Sequence, residues 1–238
     1  MQPKSGILAD SAIAGLHAAG AILTGKPFDD DQIQPASLDL RLGALAYRVR
    51  ASFLPGPGHK VKDKLDRLKL HAFELSEGAV LETGCVYMVP LLESLKLPEV
   101  VSASTNPKSS TGRLDIFTRV LTDHGQEFDQ IPAGYEGPLW LEISPRTFPI
   151  VVRTGSRLSQ IRFRQGTSQL NEDELRCLHE NETLVAADNP NVSGGGIALS
   201  IDLEGDGKGS LVGYRGKHHT AVVNVDRKAE YEIDDFWE

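Results

Sequence analysis

Three observations predict a mostly β protein with one helix at its N-terminus. Beyond residue 36, apolar residues recur in short runs, mostly of five to seven residues, and helical periodicity is rare. Glycine and proline fall between those runs at the spacing of a sandwich or barrel. The gaps between runs are too short for the crossover helices that a parallel α/β sheet needs.

The opening helix is signalled by Asp10 or Ser11 as cap, Ile13 and Leu16 on one face, and Gly20 as terminator. The strands follow as Ser37–Arg41, Leu45–Arg50, Val86–Leu92, Val100–Ser104, Ile116–Leu121, Leu139–Ser144, Pro149–Arg153 and Leu158–Arg164. The charged run Lys60–Lys69 reads as a solvated helix face or loop. Residues 166–196 change character: Gln165–Leu175 is polar, a short helix is expected around Asn171–His179, and NPNVSGGG (Asn189–Gly196) reads as a linker. Past it the sequence echoes itself. Ala36-Ser37-Leu38-Asp39-Leu40 returns as Leu199-Ser200-Ile201-Asp202-Leu203, and Leu45–Arg48 returns more loosely as Val212–Arg215. That spacing suits a duplicated domain, not a solenoid. The expected organisation is therefore a domain over 1–165, a linker over 166–196, and the first strands of a second repeat over 197–238.

The 238 residues carry 25 basic and 33 acidic side chains, a net charge of −8. Such a balance argues against a nucleic-acid binder held by phosphate contacts, yet leaves room for a nucleotide, which needs few local cations. No apolar run approaches the ~18 residues of a membrane span. The N-terminus has no secretory apolar region, and two cysteines make no disulfide framework, so a cytoplasmic chain is expected.

Several chemistries lack their motifs. Cys85 and Cys177 are far apart and outside any CxxC, no HxE precedes a PCxxC, and His218-His219 would point to opposite strand faces, so zinc is not expected. There is no GxSxG elbow, P-loop or GxGxxG. Two segments remain. Asn106–Leu114 (NPKSSTGRL) places a turn, two hydroxyls, a glycine and the cations Lys108 and Arg113 within a few residues, a set able to grip phosphate. Its plain alternative is a serine-rich turn with Arg113 in a surface ion pair. Glu142 stands inside the apolar run Leu139–Ile143, sharing a face with Trp140 while Leu139, Leu141 and Ile143 take the other. In a pocket it would suit general acid/base work; the alternative is a solvent-facing strand residue.

The order QPASLDLRLG (Gln34–Gly43), KSSTGRL (Lys108–Leu114), AGYEGPLWLEI (Ala133–Ile143) and GSRLSQIRF (Gly155–Phe163) resembles the dCTP deaminase branch of the trimeric dUTPase superfamily. The echo beyond residue 197 resembles the longer, internally duplicated form of that enzyme. The resemblance implies a dUTPase-like distorted jelly-roll or β-barrel behind the N-terminal helix, assembled as a homotrimer or pseudo-trimer with sites at subunit boundaries. It implies hydrolytic deamination of dCTP to dUTP without zinc, with magnesium carried by the triphosphate. Lys108, Ser109, Ser110 and Arg113 would bind the triphosphate, Ser109 and Arg113 would help position the attacking water, and Glu142 would be the general acid/base. Lys108 stands where the family usually has arginine, which keeps the charge and loses the bidentate fork. The family turn Arg-Ile-Asp-Pro-Gly-aromatic is here Gln130-Ile131-Pro132-Ala133-Gly134-Tyr135, with extra residues around Gly125–Asp129. Its missing aspartate, the dUTPase base, counts against the alternatives of a dUTP diphosphatase or a bifunctional enzyme. A non-catalytic nucleotide-binding or assembly domain is the remaining alternative.

Overall fold

The protein is described by a computed structural model covering residues 5–238. The chain runs β1 (Gly6–Ile7), α1 (Asp10–Ala18), β2 (Ile22–Thr24), β3 (Ile33–Gln34), β4 (Ser37–Arg41), β5 (Leu45–Val49), α2 (Val61–Leu68), β6 (Lys69–Glu74), β7 (Ala79–Leu81), β8 (Val86–Lys96) and β9 (Val101–Pro107). It continues through α3 (Ser109–Arg113), β10 (Ile116–Thr122), β11 (Gln130–Ile131), β12 (Glu136–Pro145), β13 (Ile150–Val152) and β14 (Arg157–Gln165). The last elements are α4 (Glu172–Asn181), β15 (Asn191–Ser193), β16 (Gly196–Ala198), β17 (Val223–Asn224) and α5 (Ile233–Phe236).

Each of the eight strand segments read from the sequence is a strand, with ends shifted by a few residues. One sheet has the order β11-β9-β14-β4-β3 with β1 added on β14; the other has the order β10-β12-β8-β5-β6 with β2 added on β8. Neither closes into a barrel, so the architecture is the jelly-roll form of the expectation. One core lies between them, built from Leu38, Leu40, Ile161 and Phe163 on one side and Val89, Val120, Leu141 and Ile143 on the other. This is the two-layer solution for sheets with one apolar face each. The chain crosses between sheets at Gly43, whose N–H donates to the Pro90 carbonyl at 2.8 Å. A Cβ there would stand 2.6 Å from that oxygen.

The outer face of the second sheet carries a smaller cluster. Val49, Met88, Leu121 and Trp140 are covered by Val61 and Leu65 of α2. The charged run 60–69 is thus a helix with a buried apolar stripe, not merely a solvated surface.

Helix α1 ends as expected at Gly20, with φ +74°. Neither Asp10 nor Ser11 caps it: Ala9 occupies the cap without a side-chain bond, and Asp10 accepts from the Ser11 N–H instead. Asn171 caps α4 through a reciprocal pair of bonds with Glu174. NPNVSGGG, expected as a linker, is the β15–β16 hairpin, turned by Gly194 and Gly195 at φ +61° and +74°.

The echo segment is not a strand. Leu199, Ile201 and Leu203 are 73, 79 and 78% exposed. Alternation alone does not make a strand where no partner edge and no covering layer are present. Further on, β17 joins the edge of β13 in parallel, β13 in turn pairing with β7. Phe148 packs edge-on against both Phe236 and Trp237. Among the described residues no helix is long and apolar enough to cross a membrane.

Candidate functional site

Pro107 ends β9, and Lys108 takes the cap position of the single-turn helix α3, its carbonyl receiving the N–H groups of Thr111 and Gly112. Ser109 and Ser110 are therefore presented at the mouth of a cleft of about 340 Å³, together with Asp31, Asp39, Lys108 and Lys228. The Lys108 ammonium pairs with Oδ2 of Asp39, a buried residue of β4. Arg157 stands 3.5 Å from the same oxygen and gives a 2.7 Å bond to Oδ1 of Asp31. That bond holds the Asp31 carboxyl below its ordinary range.

Arg113 closes α3 on another side. It lines an apolar groove of about 310 Å³ with Tyr214, Ile233 and Trp237, all from the C-terminal stretch.

Glu142 lies in neither place. It sits in β12 between Arg119 of β10 and Met88 of β8 and is only 1% exposed, which excludes the solvent-facing alternative. Its face is shared with Trp140, whereas Leu139, Leu141 and Ile143 enter the main core, as alternation predicts. Oε1 accepts from Arg119 Nε at 3.1 Å and Nη2 at 2.6 Å. Oε2 is buried with no hydrogen-bond partner among the described residues. The Arg119 guanidinium carbon stands 3.7 Å from the Phe128 ring centre and 4.9 Å from that of Phe117, and Nη2 also reaches Ser52 Oγ at 2.7 Å.

The loop before the Gln130–Tyr135 turn reaches the same region. Asp129, at φ +62°, caps the free edge of β10: Oδ1 accepts from the Val120 N–H at 2.8 Å and from Thr105 Oγ1 at 2.7 Å. Burial pushes the Asp129 carboxyl up. The turn lines a cavity of about 630 Å³ with Thr122, His124 and Arg164. Tyr135 donates to the Pro138 carbonyl at 2.7 Å and accepts from the Asp123 N–H at 3.1 Å; burial pushes its phenol up to about 12.

Within one chain, then, the structure brings Lys108, Ser109 and Ser110 into one cleft, turns Arg113 to a second, and buries Glu142 in a third place. Sequence reasoning missed Asp39, Asp31, Arg157 and Arg119, the partners that fix these side chains. Asp39 could have been noticed as a carboxylate inside an apolar strand, the same signal that singled out Glu142. Among the described residues no group of three or more His, Cys, Asp or Glu side chains is placed to hold a metal ion.

Comparison with known proteins bears on all of this. Residues 4–167 match the family described as 2'-deoxycytidine 5'-triphosphate deaminase (DCD) N-terminal domain, and residues 171–238 match its C-terminal domain. The second match starts at the cap of α4, inside the stretch 166–196 that was expected as a linker. A "dCTP deaminase, dUMP-forming" of Sulfurihydrogenibium sp. (strain YO3AOP1) is 29% identical over 160 residues, covering 66% of this chain and 82% of its own. One from Methanosphaera stadtmanae is 30% identical over 169 residues, covering 68 and 80%. The crystal structure of 2'-deoxycytidine 5'-triphosphate deaminase from Agrobacterium tumefaciens superposes with a TM-score of 0.92 at 69% identity, over 99% of this chain and 70% of that one. With the family match running through both sheets and every motif above, the chain belongs to the 2'-deoxycytidine 5'-triphosphate deaminase family.

Proposed function

We propose that this protein deaminates dCTP hydrolytically, giving dUTP and ammonia, with Glu142 as the general acid/base. The observation that carries the assignment is the state of the Glu142 carboxylate: one oxygen is fixed by Arg119 while the other is buried and unpartnered. An unpaired carboxylate oxygen keeps its lone pairs free to accept a hydrogen bond from an incoming water or ring N–H. Oε2 takes one proton from the water as its oxygen bonds to C4 of cytosine and passes that proton to ring N3. The second proton leaves the new C4 hydroxyl through Oε2 to the amine as the C4–N4 bond breaks and the C4 carbonyl forms, so dCTP and water become dUTP and ammonia with no metal-bound hydroxide in the scheme. Ser109 and Arg113 help to place the water; Lys108, Ser109, Ser110 and Arg113 hold the triphosphate.

Magnesium would enter with the nucleotide. The carboxylates that line the cleft with the serines, Asp31 and Asp39, are paired with Arg157 and Lys108, so the phosphate oxygens would supply the cation's ligands. A homotrimer or pseudo-trimer accounts for the separation of the three places, since a boundary between subunits can bring the cleft of one to the strand of another. Residues 197–238 belong to a second unit of the same kind, an assignment supported by the echo at Leu199–Leu203. The setting is cytoplasmic, with neither nucleic acid nor membrane as partner.

A second reading, continued hydrolysis to dUMP, is favoured by the names of the curated relatives. Against it, Pro132-Ala133 replace the turn aspartate, and Asp129 spends its Oδ1 on Val120 and Thr105. Ammonia and pyrophosphate released from dCTP and from dUTP separate the readings. Ammonia alone is expected, and Glu142→Gln should lower its release about 100-fold or more while nucleotide still binds. Near-normal turnover by Glu142→Gln overturns the assignment of the base, and no ammonia from the unsubstituted chain overturns the function.

A further inference from the structure

The proposed scheme uses Glu142 but leaves its neighbours unexplained. Arg119 gives Glu142 Oε1 two N–H bonds from adjacent nitrogens, a side-on grip that fixes the plane of the carboxylate as well as its position. The guanidinium is itself fixed on three sides, by Phe117 on its own strand, by Phe128 and by Ser52. Phe128 lies in the loop over Gly125–Asp129, and the next residue, Asp129, pins that loop to β10 through its side chain and to β9 through its carbonyl, which accepts from the Thr105 N–H at 3.0 Å. The contacts form a continuous line: Asp129 anchors the loop, the loop sets Phe128, Phe128 and Phe117 hold Arg119, and Arg119 aims Glu142.

We infer that Arg119 is a positioning residue for Glu142, with Phe128 as the clamp that holds it in place. The inference rests on the proposed role of Glu142 as the proton shuttle. Arg119 consumes Oε1, so Oε2 alone is left to handle protons, and its direction is set before any water arrives. Such pre-set geometry matters for rate: a misplacement of about 1 Å can cost about 100-fold. Arg119 touches neither phosphate candidates nor the cleft at Ser109, so its loss should appear in kcat more than in KM.

The test compares four variants of the full chain in dCTP deamination, with the melting temperature of each recorded. Arg119→Gln should lower kcat about 10- to 100-fold with KM changed by less than about 3-fold, the pattern of a contribution made to the chemical step. Arg119→Lys, which keeps charge without the fork, should recover part of that loss. Phe128→Ala leaves both members of the pair in place and should fall between the native protein and Arg119→Gln. It also keeps the question open to decision if Arg119→Gln does not fold. The Arg119 Nε–H signal in nitrogen-15 spectra should be slow to exchange in the native protein and fast in Glu142→Gln and Phe128→Ala. If Glu142→Gln is inactive yet Arg119→Gln and Phe128→Ala keep native kcat, the positioning role is wrong and the shuttle stands. A rise in KM with kcat unchanged overturns it equally. If Glu142→Gln itself turns over normally, the shuttle assignment fails, and this inference with it.

Discussion

Arg41 and Glu93 form an ion pair inside the protein in which every oxygen of the acid is used. Glu93 Oε1 accepts from Arg41 Nε at 2.8 Å and from Gln32 Nε2 at 2.9 Å, and Oε2 accepts from the Arg41 backbone N–H at 2.8 Å. The arginine spends its remaining donors on the Pro27 and Lys26 carbonyls and on Thr24 Oγ1. Removing one member of such a pair strands the other without water. Glu93→Ala should therefore cost about 3–5 kcal/mol in urea unfolding. A loss below about 1 kcal/mol would show that water replaces the carboxylate easily.

Asp129 should make stability depend on pH in a direction opposite to a salt-bridged carboxylate. Burial raises its native value, so between the ordinary aspartate range and that raised value the native state holds more protons than the unfolded one. Stability from this group is then present at low pH and lost as pH rises through the window. Asp129→Asn keeps an oxygen for Val120 and Thr105 and carries no charge. Relative to the native protein, it should gain stability in paired denaturant melts as pH rises above the ordinary aspartate range; the reverse ordering would refute the assignment.

Tyr135 predicts an alkaline limit. Its phenol is held at about 12 in the folded protein against 10.0 ordinarily, so the native state keeps a proton that the unfolded chain releases. Stability should fall as pH climbs above 10, and Tyr135→Phe should remove that part of the slope. Absorbance at 295 nm gives a direct check, since the variant should lack one phenol titrating near 12.

Arg113→Ala should separate phosphate binding from structural support. As a phosphate ligand, Arg113 makes charge-assisted contacts that deoxycytidine does not offer. Calorimetric titration should show a larger loss of affinity for dCTP than for deoxycytidine. Equal losses would assign Arg113 to packing against Tyr214 and Trp237.

How legible all this was in the sequence depends on how far each interaction reaches along the chain. The strands were legible because alternation is local: Leu139–Ile143 announces both its own conformation and which face Glu142 takes. The hairpin at Asn191–Ala198 was misread because Gly194-Gly195 serves a tight turn and a flexible linker alike. Arg119 was missed because its partner is 23 residues away and the pairing needs the register of β10 on β12. A signal did exist: Arg119, like Glu142, is a charge on an apolar strand, and a buried charge demands an opposite one nearby. The echo at Ser200–Asp202 repeats the residue pattern of β4 without the sheet that covers β4, so the pattern alone does not give a strand there.

The crossing at Gly43 has a mechanical consequence. Strands β4 and β5 belong to different sheets, yet the connection between them is only Leu42–Ala44. That connection is riveted to β8 by the Gly43 bond to Pro90 and by Leu42 opposite Leu91. Packed layers commonly adjust to a ligand by sliding over one another. Here a slide would have to tear the rivet or drive backbone into backbone, so the two layers bear load as one block. Any give that accompanies a nucleotide's arrival and departure falls to the periphery, to the stretch beyond β14.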